Sequence, residues 1–288
     1  MTFTKILCPT DFSEGSKQAA RVATRIAAET NADLVLVHAW FIPPLAFSMD
    51  APFPPYVVQD MVDDAQRNLD TAVRDAIAGG AKNTTGQLVS GVPWGEIVEL
   101  LEKQAFDLCV IGTQGRTGLE RILVGSVAEK VIRHSPCSVL AVRPDSKIGA
   151  FKHVLVPTDF SDTATYALDL AGQVVNADGT ITLLHVLELP VAFSGEVAPD
   201  FARDLDKRSA AALDASAARI KTARVTTRSR IGYPGAQTLS TIEHDPSIDL
   251  VIMGSHGRTG IKRIVMGSVA EKVVRHARCP VLVARKRS

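Results

Sequence analysis

Residues 111–131 read IGTQGRTGLERILVGSVAEKV, and residues 253–273 read MGSHGRTGIKRIVMGSVAEKV. The similarity extends without a gap over 32 positions, from Gly112–Arg143 to Gly254–Arg285, and 20 of these positions are identical. Each stretch contains a glycine-rich loop, a segment with helical spacing and a final apolar run, in that order. We therefore interpret the chain as one α/β unit that is present twice.

A shorter repeat lies near the start of each copy. The pentapeptide PTDFS occupies residues 9–13 and again residues 157–161, each time after a short apolar run. The offset between the copies falls from 148 to 142 residues, so the second copy is shorter by six residues, a difference that loops can absorb. Residues 144–150 have the composition of a linker. We predict one domain at residues 1–146 and a second domain at residues 147–288.

Strands and helices are predicted to alternate in each copy. In the first copy, strands are expected at Lys5–Pro9, Leu34–Ala39, Thr85–Ser90, Leu108–Gly112 and Ser138–Val142, and helices at Ser13–Thr30, Val58–Ala78, Pro93–Gln104 and Ser126–His134. The strands are apolar without alternation, which is typical of a parallel sheet covered by helices on both faces. The predicted fold class is α/β, with two tandem doubly wound parallel five-stranded sheets of the Rossmann-like kind.

The last strand of each copy bears on how the copies associate. Ser138–Val142 and its counterpart Pro280–Ala284 are apolar, and each would be an exposed edge in an isolated unit. We expect the two halves to pair within the chain as a pseudo-dimer with approximate two-fold symmetry. The sequence leaves open whether two chains then form a homodimer.

Composition argues against several classes of function. Lys and Arg number 32 against 31 Asp and Glu, so there is no basic surplus of the kind that nucleic acid polymers require. The most apolar stretch, Leu34–Phe47, contains His38 and two prolines and is shorter than the roughly 20 residues that span a membrane. Residues 1–8 pass directly into a strand pattern without a signal sequence. We expect a cytoplasmic protein whose partners are neither nucleic acid nor membrane.

The glycine loop carries the main functional signal. Gly112, two residues, Gly115, nine residues and then Gly125 follow the fourth strand, and a helix is expected to begin at Ser126. Backbone N–H groups and the positive end of the helix dipole would meet a ligand there, at the edge where doubly wound sheets bind ligands. The alternative is that the glycines only form turns. The same spacing in the same context in both copies favours phosphate binding.

An aspartate stands at the corner after the first strand of each copy, Asp11 in the first and Asp159 in the second. Such a carboxylate can accept two hydrogen bonds from a ribose diol. The alternative is a turn or helix-capping role, but Ser13 is itself a good capping residue, so we favour ribose contact. For Arg116 and Arg258, which follow the second loop glycine, phosphate screening and simple solvation are equally supported.

This combination of motifs resembles the universal stress protein family, in its tandem form and its ATP-binding subclass. The family signature is Gly, two residues, Gly, nine residues, Gly and then Ser or Thr; it is complete in both copies, and the resemblance covers nearly all 288 residues. It implies an adenine nucleotide alpha hydrolase-like fold and ATP as the ligand, with or without Mg²⁺. It places adenine near the PTD corner and near the residue after the second-strand histidine, ribose near the aspartate, and phosphates in the loop. The residues so implied are Pro9, Thr10, Asp11, Ala39, Gly112, Gln114, Gly115, Arg116, Gly125, Ser126, Val127, Pro157, Thr158, Asp159, Val186, Gly254, His256, Gly257, Arg258, Gly267, Ser268 and Val269.

The two copies differ at two of these positions. Ala39 is smaller than Val186, so the adenine wall of the first site is expected to be looser. Gln114 replaces the counterpart of His256 beside the phosphates. We expect the second site to bind the nucleotide more tightly.

Other reactive side chains are assigned to structural roles. Cys8 and Cys109 align with valines, and Cys137 and Cys279 lack the spacing of a metal or redox motif, so burial is favoured for all four. His38, at the end of the second strand, is interpreted as structural or pocket-lining. We expect no metal-binding and no catalytic residue.

The loop also indicates what the protein would do with ATP. A Walker A lysine is missing, because Gly125 is followed directly by Ser126 and Val127. Together with the resemblance, which implies ATP and a role in the stress response, the missing lysine leads us to predict a stress-response regulatory protein whose two ATP sites act as a conformational or assembly switch, with slow hydrolysis at most. A weak ATPase or nucleotidyl-transfer enzyme is one alternative, and a protein-interaction scaffold with vestigial sites is another. The sequence does not identify the regulatory partner.

Overall fold

The computed structural model describes residues 3–41, 55–115, 124–188, 199–257 and 266–286. The chain divides into two compact units between Ile148 and Gly149. Within the described residues, each unit is an α/β structure of five strands and four helices.

The first unit alternates strands and helices throughout. Its elements are β1 (Lys5–Pro9), α1 (Glu14–Thr30), β2 (Asp33–Trp40), α2 (Pro55–Ala78), β3 (Thr84–Ser90), α3 (Pro93–Lys103), β4 (Leu108–Gly112), α4 (Ser126–His134) and β5 (Ser138–Val142). The strands lie in the order β3-β2-β1-β4-β5, and every pair is parallel. Helices α1 and α2 contact one another, as do α3 and α4, so helices cover both faces of the sheet.

The second unit repeats this arrangement. Its elements are β6 (His153–Thr158), α5 (Asp162–Val174), β7 (Thr180–Leu187), α6 (Pro199–Ala217), β8 (Arg224–Ile231), α7 (Pro234–His244), β9 (Leu250–Gly254), α8 (Ser268–His276) and β10 (Val281–Ala284). The order is β10-β9-β6-β7-β8, again with parallel pairs. The predicted doubly wound parallel five-stranded sheet is confirmed in both units. The pairing of the halves as a pseudo-dimer stays a prediction.

The core of the first unit consists of the central strands and the helix faces against them. Leu7, Leu36 and Phe106 are fully buried there. All four cysteines of the chain are buried and free of disulfides, as expected. Burial raises the pKa of the Cys8 thiol to about 12 and that of Cys109 well above its ordinary value, so these thiols stay protonated and unreactive. Among the helices within the described ranges, none is long and apolar enough to cross a bilayer.

The topology fixes where a ligand can bind. Strand order reverses between β1 and β4 in the first unit and between β6 and β9 in the second. The chain therefore leaves these neighbouring strands toward opposite faces, which opens a crevice at their carboxyl ends. The PTDFS corner begins at the carboxyl ends of β1 and β6, and the glycine loop begins at those of β4 and β9, so both motifs meet at this crevice.

Candidate functional site

The corner after the first strand of each unit is built around an aspartate. Asp11 Oδ1 accepts hydrogen bonds from Ser13 N at 3.1 Å and from Ser13 Oγ at 2.5 Å. Ser13 in turn caps α1, because its Oγ accepts from Ser16 N. Asp159 accepts the same two bonds from Ser161, at 3.1 and 2.6 Å. The carboxylate therefore has a role in the turn, and a ribose contact would be an additional role for the same side chain.

The aromatic residue after this aspartate has a strained backbone. Phe12 and Phe160 have φ values of 63° and 64°, in the left-handed region, which costs such a residue about 1–3 kcal/mol. In the first unit, Phe12 N donates to Thr10 Oγ1 at 3.1 Å, and the phenyl ring centre lies 4.5 Å from that of His38. His38 Nδ1 is hydrogen-bonded to Thr10 O at 2.7 Å. The second unit repeats all three contacts, so the surrounding structure imposes this conformation on both corners.

Close approach, and not backbone conformation, explains the first two glycines of the loop. A Cβ on Gly112 would lie 2.6 Å from Gly15 O, and one on Gly115 would lie 2.9 Å from Asp11 Oδ2. A Cβ on Gly257 would lie 2.6 Å from the aspartate of its own corner. None of the motif glycines within the described ranges has a positive φ. The loop is thus pressed against the start of α1 and against the corner aspartate.

The two units attach this loop to the following helix in different ways. In the first unit, Gly15 leaves room for the carbonyl of Gln114, and a Cβ on Gly15 would overlap that oxygen. In the second unit, Thr163 stands at this position, and its Oγ1 donates to His256 O at 2.5 Å. A side-chain hydrogen bond in one copy therefore corresponds to a backbone contact in the other.

The third glycine of the motif lies in a more open place. Gly125 is the N-cap of α4, and a Cβ there would meet only Thr113 O at 3.5 Å and Gly115 N at 3.9 Å. The first helical bond runs from Glu129 N to Gly125 O, so the N–H groups of the first turn have no acceptor within the helix. Together with the helix dipole, they form a place where an anion is stabilised. The second unit repeats the arrangement at the start of α8.

A cavity lies between the corner and the loop in each unit. Its volume is about 620 Å³ in the first unit and about 530 Å³ in the second. Arg116 and Arg258 lie outside the described residues. All the other predicted site residues line the two cavities: Pro9, Thr10, Asp11, Ala39, Gly112, Gln114, Gly115, Gly125, Ser126 and Val127 in the first, and Pro157, Thr158, Asp159, Val186, Gly254, His256, Gly257, Gly267, Ser268 and Val269 in the second.

The first cavity has an additional wall that the sequence did not indicate. Met61, Asp64 and Asn68 of α2 contribute to its lining, whereas no described side chain of α6 lines the second cavity. Phe12 and His38 also line the first cavity. The repetition of the whole PTDFS pentapeptide could have pointed to the phenylalanine. No local pattern marks the residues of α2, because they reach the cavity only through the packing of α2 beside α1.

A doubly wound sheet whose glycine loop and helix N-terminus meet at the strand-order reversal defines a class of α/β proteins with an anion-binding crevice. Within this class, the chain belongs to the universal stress protein family, whose profile matches residues 2–143 and again residues 150–285. The resemblance inferred from the motifs is thus confirmed, and the protein is a member of a family of stress-response proteins.

Individual relatives agree with this assignment. A universal stress protein of Methanocaldococcus jannaschii is 38% identical over 146 residues, which cover 50% of this chain and 85% of the relative. A universal stress protein of Mycobacterium tuberculosis is 26% identical over 295 residues, 98% of this chain and 96% of the relative. The crystal structure of a universal stress protein from Archaeoglobus fulgidus has a TM-score of 0.73 at 24% identity and covers 99% of this chain and 98% of that one, which supports the fold.

Proposed function

We propose that each unit binds ATP and that occupancy of the two sites acts as a conformational or assembly switch in the stress response. We also propose that the protein acts in the cytoplasm. The observation that carries this proposal is the meeting, in one cavity, of a free helix N-terminus, a close-packed glycine loop and a corner aspartate. These are the groups that phosphates and a ribose diol require. A switch further requires that ATP bind the two states with different affinity.

The volumes of the two cavities support the proposal. Both volumes fall in the range of about 300–1,000 Å³ that small-molecule sites occupy. The absence of a Cβ at Gly125 leaves the start of α4 open to a phosphate, and Ser126 can add a hydroxyl donor. Asp11 would accept from the ribose, while Pro9 and Ala39 would border adenine.

Mg²⁺ is proposed only as an ion that binds together with the phosphates of ATP. Among the described residues, no group of three or more His, Cys, Asp or Glu side chains could hold a metal ion. A bound Mg²⁺ would therefore depend on the phosphate oxygens and on water for its ligands. The role of the Arg116 and Arg258 side chains toward the phosphates is part of the same proposal.

Nucleotide released from the purified full-length chain tests the proposal directly. We expect denaturation to release an adenine nucleotide, and calorimetry on the stripped protein to give two equivalents of ATP. Asp11→Asn and Asp159→Asn should each weaken one site by about 10–100-fold, because a charged acceptor is lost from the ribose. The Asn oxygen still accepts from the serine of the turn, so thermal stability should change little.

Other outcomes of this experiment support other functions. No released nucleotide and no binding would favour a scaffold with vestigial sites. Steady ATP turnover or nucleotidyl transfer that disappears in Gly115→Ala and Gly257→Ala would favour an enzyme. Slow hydrolysis, at most, is what the proposal expects, because the loop has no Walker A lysine.

The two sites are expected to differ in affinity. Each site is measured with the other disabled by its Asp→Asn change, and the second should bind ATP more tightly because Val186 fills more of the adenine wall than Ala39. Ala39→Val should strengthen the first site by up to about tenfold, since each newly buried carbon contributes about 0.8 kcal/mol at best. Val186→Ala is the matched change in the opposite direction. Equal affinities of the two unmodified sites would contradict this expectation.

A further inference from the structure

A buried hydroxyl follows the fourth-strand glycine in each unit. Thr113 is 2% exposed and Ser255 is 3% exposed. Ser255 Oγ lies 3.0 Å from Nδ1 of His256. Thr113 Oγ1, in contrast, has no hydrogen-bond partner among the described residues. The residue that follows Thr113 is Gln114, where the second unit has His256. Burying a hydroxyl without a hydrogen-bond partner costs free energy. Within the described ranges, the hydroxyl at this position is therefore satisfied in the second unit and unsatisfied in the first.

The Ser255 contact determines what the imidazole offers to the cavity. His256 lines the second cavity, and its carbonyl is held by Thr163 Oγ1. Its Nδ1 faces the buried serine, so Nε2 lies on the opposite side of the ring. If the serine O–H donates to Nδ1, the neutral ring carries its proton on Nε2. Within the described ranges the structure gives Nε2 no hydrogen-bond partner of its own.

We propose that Ser255 is a positioning residue of the second nucleotide site, which orients the His256 ring and fixes its Nε2–H tautomer so that this group donates to a phosphate oxygen. The inference rests on the proposed function and names a specificity determinant within that site. Thr113 is the unused equivalent in the first unit, because Gln114 presents no ring nitrogen to its hydroxyl. The difference between the two sites thus lies in a pair of residues, and not in His256 alone.

The first test removes the hydroxyl of the second site in the full-length chain, with the first site disabled by Asp11→Asn. Ser255→Ala should weaken ATP binding by about three- to tenfold, the loss expected for one hydrogen bond. The affinity for adenosine, which has no phosphate, should stay unchanged. Ser255→Thr should restore ATP binding, and Ser255→Ala should have no further effect when added to His256→Ala. Equal losses for ATP and adenosine, or additive losses with His256→Ala, would show that Ser255 has only a packing role.

The second test transfers the pair to the first unit, with the second site disabled by Asp159→Asn. Gln114→His supplies an acceptor for the buried Thr113 hydroxyl, and we expect ATP affinity at the first site to rise by about three- to tenfold. Thr113→Val has nearly the same shape without the hydroxyl and should cancel that gain. Thr113→Val alone, with Gln114 in place, should leave affinity unchanged. A gain that persists without the hydroxyl would overturn the inference.

A measurement without nucleotide separates the failure of this inference from failure of the proposed function. The ¹⁵N shifts of labelled histidine report which ring nitrogen carries the proton, and His256→Ala assigns the signal. We expect the Nε2–H tautomer in the unmodified protein and a mixture in Ser255→Ala. An unchanged tautomer would refute the positioning role even if ATP binds. The expected change together with no ATP binding would refute only the proposed function and the phosphate contact.

Discussion

Gly15→Ala is expected to destabilise the first unit by up to about 2 kcal/mol and to abolish its proposed nucleotide site. The added Cβ would overlap the carbonyl oxygen of Gln114, which is backbone and cannot rotate away. Overpacking of this kind costs about 1–3 kcal/mol or more, against a gain of about 1 kcal/mol from replacing a helical glycine. The Gln114 carbonyl belongs to the glycine loop. Its displacement by the new Cβ would therefore also displace the loop groups that are proposed to bind phosphate.

Denaturant unfolding and ATP calorimetry on the same Gly15→Ala sample measure both effects. Gly95→Ala is the matched control, since Gly95 lies in the first turn of α3 and a Cβ there has nothing within 4 Å. That control should be neutral or stabilised by up to about 1 kcal/mol, with both sites intact. The second site should bind ATP normally in Gly15→Ala, because Thr163 already occupies its equivalent position. A first site that still binds ATP would contradict the close approach described for the loop.

Gly125→Ala and Gly267→Ala, unlike Gly15→Ala, are expected to leave the fold intact and to weaken ATP binding. A Cβ on Gly125 would meet no atom closer than 3.5 Å, and its φ of −68° and ψ of 154° suit any residue. The methyl group would, however, stand before the N–H groups at the start of α4. Losing one or two charged hydrogen bonds of about 1.5–3 kcal/mol each should weaken ATP binding by roughly 100-fold.

Thermal unfolding and ATP titration of Gly125→Ala, Gly267→Ala and the double variant test this prediction. Each single variant should lose one of the two sites, and the double variant should lose both. The melting temperature should stay close to that of the unmodified chain, since an alanine N-cap costs at most about 1 kcal/mol. Unchanged affinity in the double variant would mean that phosphate does not bind at these helix ends. Gly149→Ala, with open space around its Cβ, controls for the substitution itself.

Much of the fold was predictable because local signals agree with one another. The bounds of β4, α4 and β5 match the prediction, since apolar runs, a glycine N-cap and a helical pattern all change at the same residues. The start of α2 was placed three residues too late, at Val58 instead of Pro55. Proline is favoured in the first turn of a helix but is also common in loops, so it gave no unique boundary.

The candidate site was predictable where the two copies repeat and less so where they differ. The duplication identified the corner and the loop, and the structure brings both to one cavity. Asp64 and Asn68 were missed because a helix distant in sequence delivers them, without a motif. The equivalence of Gly15 and Thr163 as contacts of the glycine loop was also missed. Neither residue belongs to a motif, and only the folded structure shows that each contacts a loop carbonyl.

The left-handed Phe12 and Phe160 corners have a consequence for the kinetics of ligand arrival. Contacts with Thr10 and His38 hold the first corner in its strained shape, and equivalent contacts hold the second corner. Because contacts within the protein impose this shape, the proposed ligand would meet a preformed corner, and its affinity would not be reduced by a rarely populated state. Association at this corner should be limited by diffusion and orientation. The conformational change of the proposed switch is therefore expected elsewhere in the chain.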